Sequence, residues 1–294
     1  MTRILITGAN GFIGTPTTAA LRSAGFEVHT ISRTVAATDA PQTHHQTDLL
    51  DDPSSVVTTV RPDVLVHLAW DTTHGEFWTS AANELWLESS KTLLREFLAG
   101  GGKHAVVAGT CAEYDWNAGE QILNEDSSPI RPASIYGATK VRLHEYAIAL
   151  AEDYGASIGW ARIFFPYGPG EDPRKFVSST ARSLIENKPA HVRSGTLVRD
   201  YIYSQDVGEA LAVMAGVRMN ATVNVGSGIG TPLATIAQEI ATIVGRPKLL
   251  NLEADERSDQ DPVVADITRL RQLVGYTPTT SLQQGLRASV AAAS

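Results

Sequence analysis

Short apolar runs alternate with longer amphipathic stretches through the first half of the chain, and each kind of run fits one kind of element. Arg3 to Thr7 (RILIT) reads as a buried strand, and Gly8-Ala9-Asn10-Gly11-Phe12-Ile13-Gly14 leads from it into a helical run ending near Ala24. Further strands are expected over Glu27 to Ser32, Asp63 to Ala69 (DVLVHLA), His104 to Ala108 and Ser157 to Phe164, with a short one ending at Thr47-Asp48-Leu49. Strands this apolar suit a sheet covered on both faces. Between them, Ala81 to Ala99 reads as a helix with two apolar stripes. One is Leu85, Trp86, Leu93 and Phe97, and the other is Leu87, Leu94 and Leu98. Two stripes imply burial on two sides, against the sheet and against a second subunit. A long helix is expected from about Ser134 to Tyr154. Such alternation predicts an α/β fold with a doubly wound parallel sheet.

From Phe165 the rhythm breaks. Pro166-Tyr167-Gly168-Pro169-Gly170 is followed by shorter elements, so residues 165–294 are expected to be mainly a mixed, smaller substrate-binding region, with segments around 200–226 crossing back to the domain formed by residues 1–164. At 294 residues, 43% apolar and 19% charged, the chain can bury a large core. A net charge of −8 argues against a broad nucleic-acid-binding face. No apolar run reaches the length of a membrane span. The start MTRILITGAN goes directly into a strand without an export signal, and Cys111 is the single cysteine, so a cytoplasmic setting is expected. No metal site is assigned.

Strand, glycine turn and helix in succession form the context of dinucleotide binding. Gly8, Gly11 and Gly14 allow a tight turn and a close approach to a pyrophosphate, whose charge then sits at a helix N-terminus beside Phe12 and Ile13. The spacing is GxxGxxG. The second strand ends in Ser32-Arg33, where a guanidinium suits a 2′-phosphate, so NADPH is expected over NADH; a solvated arginine is the alternative. Asp48 is placed for the adenine amine, or else caps a helix, and Leu49 and Ala69 stand at neighbouring strand ends. Trp70 to Trp78 is an aromatic loop, containing His74, that either binds ligand or packs beneath itself. His67, inside a strand, reads as a packed histidine. Tyr136 and Lys140 are four residues apart on one helix face. An ammonium beside a phenol lowers its pKa, so the pair can work as a general acid/base on a carbonyl or alcohol, although this spacing alone also occurs on ordinary surface helices.

Gly8, Gly11 and Gly14, Thr110 at the end of the fourth strand, and Tyr136-Gly137-Ala138-Thr139-Lys140 together resemble an extended short-chain dehydrogenase/reductase, and more narrowly the NAD-dependent epimerase/dehydratase family acting on nucleotide sugars. Arg162 to Pro169 (RIFFPYGP), Arg199 to Val207 (RDYIYSQDV) and Asn224 to Gly228 (NVGSG) extend the resemblance along the chain. It implies Tyr136 as acid/base, Lys140 as its pKa partner and nicotinamide-ribose ligand, and Thr110 as hydrogen-bond partner of the reacting sugar oxygen. It also implies a nucleoside-diphosphate sugar as substrate, Arg199 and less securely aligned Arg257 at its diphosphate, and a homodimer.

Departures narrow the reaction. Where related 4,6-dehydratases carry Asp-Glu after the catalytic Thr, this chain has Cys111 and Ala112, and Ala112 cannot move a proton. GDP-fucose synthase has a Cys and a His where this chain has Ala112 and Gly170. Phe165 stands where UDP-galactose 4-epimerase has a diphosphate-binding Asn. Cys111 reads as a small pocket-lining residue, while Glu113 either reaches the sugar, caps the turn or faces solvent. Simple hydride transfer at one carbon is what remains. The expectation is an NADPH-dependent reductase of a nucleotide-linked 4-keto-6-deoxyhexose. The alternatives are an NAD-dependent nucleotide-sugar 4-epimerase and, from another class, a non-catalytic NADPH-binding regulator.

Overall fold

A computed structural model describes residues 1–33, 43–253 and 260–293. Its centre is a seven-stranded sheet of β1 (Arg3–Thr7), β2 (Glu27–Ser32), β3 (His44–Gln46), β4 (Val64–His67), β5 (His104–Thr110), β6 (Ser157–Ile163) and, in the same sheet, Ala221–Val225. The order is Ala221–Val225, β6, β5, β4, β1, β2, β3, and every pairing is parallel. From β1 the chain first winds outward through β2 to β3, then returns to β4 on the other side and winds away. The direction therefore reverses between β1 and β4, and ligands of such sheets bind outside the strand C-termini at that reversal.

Helices cover both faces. Helix α1 (Gly14–Ser23) lies against the helix Ser204–Val217 on one face, over a core that includes Ile4, Ile6, Val64, Val66, Val106 and Val207. On the other face α2 (Ser55–Val60), α3 (Ala82–Ala99) and α4 (Ile135–Tyr154) bury Leu5, Leu65, Val107, Phe97, Leu143 and Trp160. Strand residues alternate between the two cores, as the period of two requires.

Both apolar stripes of α3 are used within this one chain. Trp86, Leu87, Leu93, Leu94, Phe97 and Leu98 are buried, and Leu85 is left 63% exposed. Helix α3 packs on α4 within the chain, and Leu85 of α3 and Ile135 of α4 remain exposed.

Past Ile163 the chain builds a smaller layer. Three strands, β7 (Phe165–Tyr167), Val198–Tyr203 and Gly230–Pro232, form a mixed sheet beside the pair Ala190–Val192 and Leu250–Leu252. Helices Phe176–Ile185, Leu233–Val244 and Leu282–Ala293 close a third core around Tyr167, Leu184, Ile236, Ile240 and Leu286. Asp200, fully buried, ties this layer together by accepting from the Ser227, Gly228 and Ala265 amides and the Ser227 hydroxyl. Among the described residues no helix is long and apolar enough to cross a membrane.

Candidate active site

A cavity of about 1260 Å³ opens at the reversal point, between the strand ends of the large sheet and the smaller layer. Gly8, Gly11, Phe12, Ile13, Gly14, Ser32, Arg33, Asp48, Leu49 and Ala69 line one part of it, and Thr110, Cys111, Tyr136, Lys140, His74 and Phe165 line the rest. The turn after β1 is folded on itself. A Cβ on Gly14 would lie 1.9 Å from the Gly8 carbonyl oxygen, so only glycine lets α1 start there. A Cβ on Gly11 would meet that carbonyl at 3.1 Å and nothing else within 4 Å, so it would stand in the cavity. Side-chain-free backbone at a helix N-terminus, where amides lack partners within the helix, suits a pyrophosphate. The residues present therefore fit a dinucleotide. At its far end Asn10 Nδ2 donates to Ser32 Oγ at 2.9 Å, and the end of β2 carries Arg33 and no carboxylate.

The chemistry stands where β5 and α4 meet. Thr110, at the tip of β5, starts a short 3-10 turn, Cys111–Glu113, and its Oγ1 accepts the Ala112 amide at 3.2 Å. Ser134 caps α4 by accepting the Gly137 amide at 3.1 Å, which presents Tyr136 in the first turn and Lys140 one turn later. Burial pushes the Tyr136 phenol well above its ordinary value, and the adjoining Thr110 hydroxyl offsets only part of this. Burial also brings Lys140 from 10.5 down to about 7, with the Glu113 charge pulling the other way. Lys140 Nζ donates to the Ala108 carbonyl at 2.9 Å and lies 3.7 Å from the Trp70 ring centre and 6.0 Å from that of Tyr136. The ammonium was expected to set the phenol's pKa. Desolvation dominates both groups here.

The aromatic loop packs on Tyr136 and also lines the cavity. Phe77, Trp78 and Trp70 pack edge-on to Tyr136 at centroid distances of 4.9, 5.9 and 6.4 Å, and all three line the cavity. Trp116, Phe165 and Tyr201 continue the aromatic wall. Cys111 is buried in the lining, and burial together with the Asp200 charge pushes its thiol up, so it is no nucleophile here.

Two expected substrate contacts are elsewhere. Glu113 is fully buried outside the cavity, because Arg162 Nε at 2.7 Å, Trp160 Nε1 at 3.0 Å and the Thr110 amide at 2.9 Å draw its carboxylate beneath the sheet end. Of the roles open to it, capping is the one observed. Arg199 stands one layer behind the lining. Its guanidinium donates to the Val198 and Asp261 carbonyls and to Gln260 Oε1, and faces the rings of Trp116 and Phe165 at 5.7 and 6.0 Å. Arg257 lies outside the described residues. His67 is the packed histidine expected, held between Thr7 Oγ1 and Ser90 Oγ at 2.8 Å each and brought to about 3 by burial and the neighbouring Lys140 charge.

Sequence reasoning did not single out Lys175 and Glu171. Both line the cavity, Lys175 Nζ lying 5.5 Å from the Phe12 ring centre beside the glycine turn. Their only signal was their place just after the Pro-Gly turn that ends β7.

A model of the NAD dependent epimerase/dehydratase family matches residues 4–226. The chain belongs to that family. It is 27% identical to an uncharacterized UDP-glucose epimerase, YtcB, of Bacillus subtilis, over 63% of this chain and 59% of the relative. Against a UDP-glucose 4-epimerase of Halalkalibacterium halodurans it is 25% identical over 94% of this chain and 90% of the relative. Among solved structures, MoeE5 in complex with UDP-glucose and NAD superposes with a TM-score of 0.85 at 27% identity, covering 99% of this chain and 98% of that one. The UDP-N-acetylglucosamine 4-epimerase of Methanobrevibacter ruminantium, at 21% identity and TM-score 0.86 over 99% and 97% of the two chains, shares the fold of this family member.

Proposed function

We propose that the chain is a nucleotide-sugar 4-epimerase that works with a retained NAD. The observation that carries this reading is the convergence of Thr110, Tyr136 and Lys140 on the same cavity as the glycine turn, with Ala112 where a second acid/base would stand. The relatives and the MoeE5 complex, which holds UDP-glucose and NAD, supply the substrate class. This overturns the order of preference from the sequence, which put an NADPH-dependent ketoreductase first.

In this reading Gly8, Gly11, Phe12, Ile13 and Gly14 hold the pyrophosphate, Asp48 and Leu49 the adenine end, and Lys140 the nicotinamide ribose. Bound NAD supplies a hydride acceptor that later serves as donor. With that acceptor in place, Tyr136 would take the proton of the sugar 4-hydroxyl as C4 is oxidised to a 4-ketone, and would return it when C4 is reduced from the opposite face. The net change is inversion at C4, with no reducing equivalent consumed. Thr110 hydrogen-bonds the same oxygen, which keeps the carbonyl in reach of the phenol while the sugar turns. The aromatic wall from Phe77 to Tyr201 offers faces to the apolar C–H surfaces of the turning ring and keeps water from the ketone.

Arg33 favours a second reading, in which NADPH binds from solution and a nucleotide-linked 4-ketosugar is reduced once, with Tyr136 as proton donor. Mass spectrometry of what the purified chain retains, followed by incubation with UDP-glucose, UDP-galactose and their N-acetyl and uronic counterparts, separates the two. Retained NAD and interconversion of C4 epimers without added coenzyme are expected. NADPH consumption with a 4-ketosugar, and no epimerisation, would replace the first reading by the second.

A further inference from the structure

The buried carboxylate of Glu113 stands beside Thr110 and Tyr136, and the mechanism above leaves it without a task. We propose that Glu113 is a positioning residue for the reaction, its carboxylate anchored on Arg162 and locking Thr110 in the conformation that points its hydroxyl proton at Tyr136 and the sugar oxygen. The inference rests on the 4-epimerase reading and adds a residue to it.

All of the neighbours of this carboxylate are N–H donors. Oε1 accepts the Thr110 amide at 2.9 Å and Trp160 Nε1 at 3.0 Å, while Oε2 accepts Arg162 Nε at 2.7 Å and Trp160 Nε1 at 3.2 Å. None of these partners offers an acceptor to a carboxyl proton. Arg162 is itself held from the far side, donating from Nη1 to the Tyr114 hydroxyl at 3.0 Å, and that hydroxyl donates to Asn224 Oδ1 at 2.8 Å. The anchor is therefore continuous from the strand Ala221–Val225 to the tip of β5.

The lock acts through a reciprocal cap. Glu113 takes the Thr110 amide, and Thr110 Oγ1 takes the Ala112 amide. With a lone pair of Oγ1 spent on Ala112, the hydroxyl proton is left to donate, and Tyr136 is beside it. Two close approaches keep the turn there. A Cβ on Gly109 would lie 2.6 Å from Glu113 Oε1 and 2.2 Å from Trp160 Nε1, and a Cβ on Gly137 would lie 2.3 Å from the Ala112 carbonyl oxygen. Neither β5 nor α4 could carry a side chain at these places without pushing Thr110 and Tyr136 apart. The negative charge reaches the third member as well. Of the groups around Lys140, Tyr136 on its own helix and His67 from β4 bring no charge near neutrality, and Glu113 holds the ammonium form up against burial.

Three variants of the full chain test this: Glu113→Gln, Glu113→Asp and the shape-preserving pair Glu113→Gln/Arg162→Gln, which leaves no buried charge unpaired. Glu113→Asp keeps the charge but cannot span Thr110 and Arg162 together. The expected result for the double variant is a folded protein that retains dinucleotide and changes KM little, while kcat falls about 10- to 100-fold, the size of loss a misplaced group of this kind produces. Lys140 is read separately, by pH-dependent acylation of the dinucleotide-free protein and mass spectrometry. Its labelling midpoint should move below that of wild type in Glu113→Gln and in the double variant, and stay near it in Glu113→Asp. A folded double variant with wild-type kcat, or an unmoved midpoint in Glu113→Gln, overturns the proposal. Should the wild type epimerise no sugar, the 4-epimerase reading fails alone, because the labelling midpoints still decide whether Glu113 governs this site.

Discussion

Replacing Lys140 by Met should make the dinucleotide-free protein more stable near neutral pH. Lys140 is 3% exposed, and burial lowers it from 10.5 to about 7. At about 1.4 kcal/mol per pH unit, holding the ammonium in this site costs about 5 kcal/mol below pH 7. The folded pKa is the lower one, so between pH 7 and 10.5 the unfolded chain binds more protons, and wild-type stability rises with pH across that window. Met keeps most of the stem's volume but gives up the Ala108 hydrogen bond, a loss of about 1 kcal/mol. Urea unfolding of both proteins from pH 6 to pH 10.5 should therefore show Lys140→Met ahead by about 3–4 kcal/mol at pH 6, the lead shrinking with pH and turning into a deficit of about 1 kcal/mol at the top. Other groups titrate in this range, but they are common to both proteins and leave the difference. A difference that does not vary with pH, or a Met variant that is the weaker one at pH 6, refutes the claim that this ammonium is held against its own solvation.

Tyr136→Phe should lower kcat by about 10²- to 10⁴-fold while leaving dinucleotide retention and the circular dichroism spectrum in place, since the ring packing on Phe77 and Trp78 survives. Gly14→Ala puts a methyl 1.9 Å from the Gly8 oxygen, and no side chain can move to relieve it; loss of bound dinucleotide or of soluble protein is expected, and wild-type retention by mass spectrometry would contradict the turn geometry. Arg33→Ser should weaken NADP without weakening NAD, measured as the ratio of their dissociation constants; an unchanged ratio removes Arg33 from cofactor choice.

What could be read in the sequence was whatever local backbone geometry dictates. Gly8 and Gly14 had to be glycine because two backbone segments touch there, and β1, β2, β4, β5 and β6 followed from apolar runs too long for a turn and too short for a helix, whereas β3 is the polar His44–Gln46. The boundary errors are small and informative: β5 continues through Gly109 and Thr110, which places Thr110 inside the ladder rather than after it. Glu113 was harder. The Thr110-Cys111-Ala112-Glu113 spacing is a capping-box pattern and so was visible, but the partners that decide its fate, Trp160 and Arg162, come 47 and 49 residues later. Arg199 shows the same limit. A guanidinium suited to phosphate was legible from the motif, whereas its place behind Trp116 and Phe165 depends on contacts between distant segments. The Trp70 to Trp78 loop left ligand binding and packing as alternatives, and only tertiary structure shows that rings packed on Tyr136 also line the cavity.

The site that emerges is assembled against its own electrostatics. A working pair needs an anionic phenol and a cationic amine, yet burial drives Tyr136 and Lys140 each towards the neutral form. Proteins keep such groups only where something else restores the charges, and perturbed pairs of this kind cluster at reacting centres. An oxidised nicotinamide in the cavity would bring positive charge to the phenol and so favour the phenolate. Trp70, Phe77 and Trp78 pack edge-on around the phenol ring and keep it out of water. It follows that a reactive phenolate is to be expected only in the liganded protein. In the proposed 4-epimerase, that order would keep the acid/base pair idle until coenzyme and sugar are both in place.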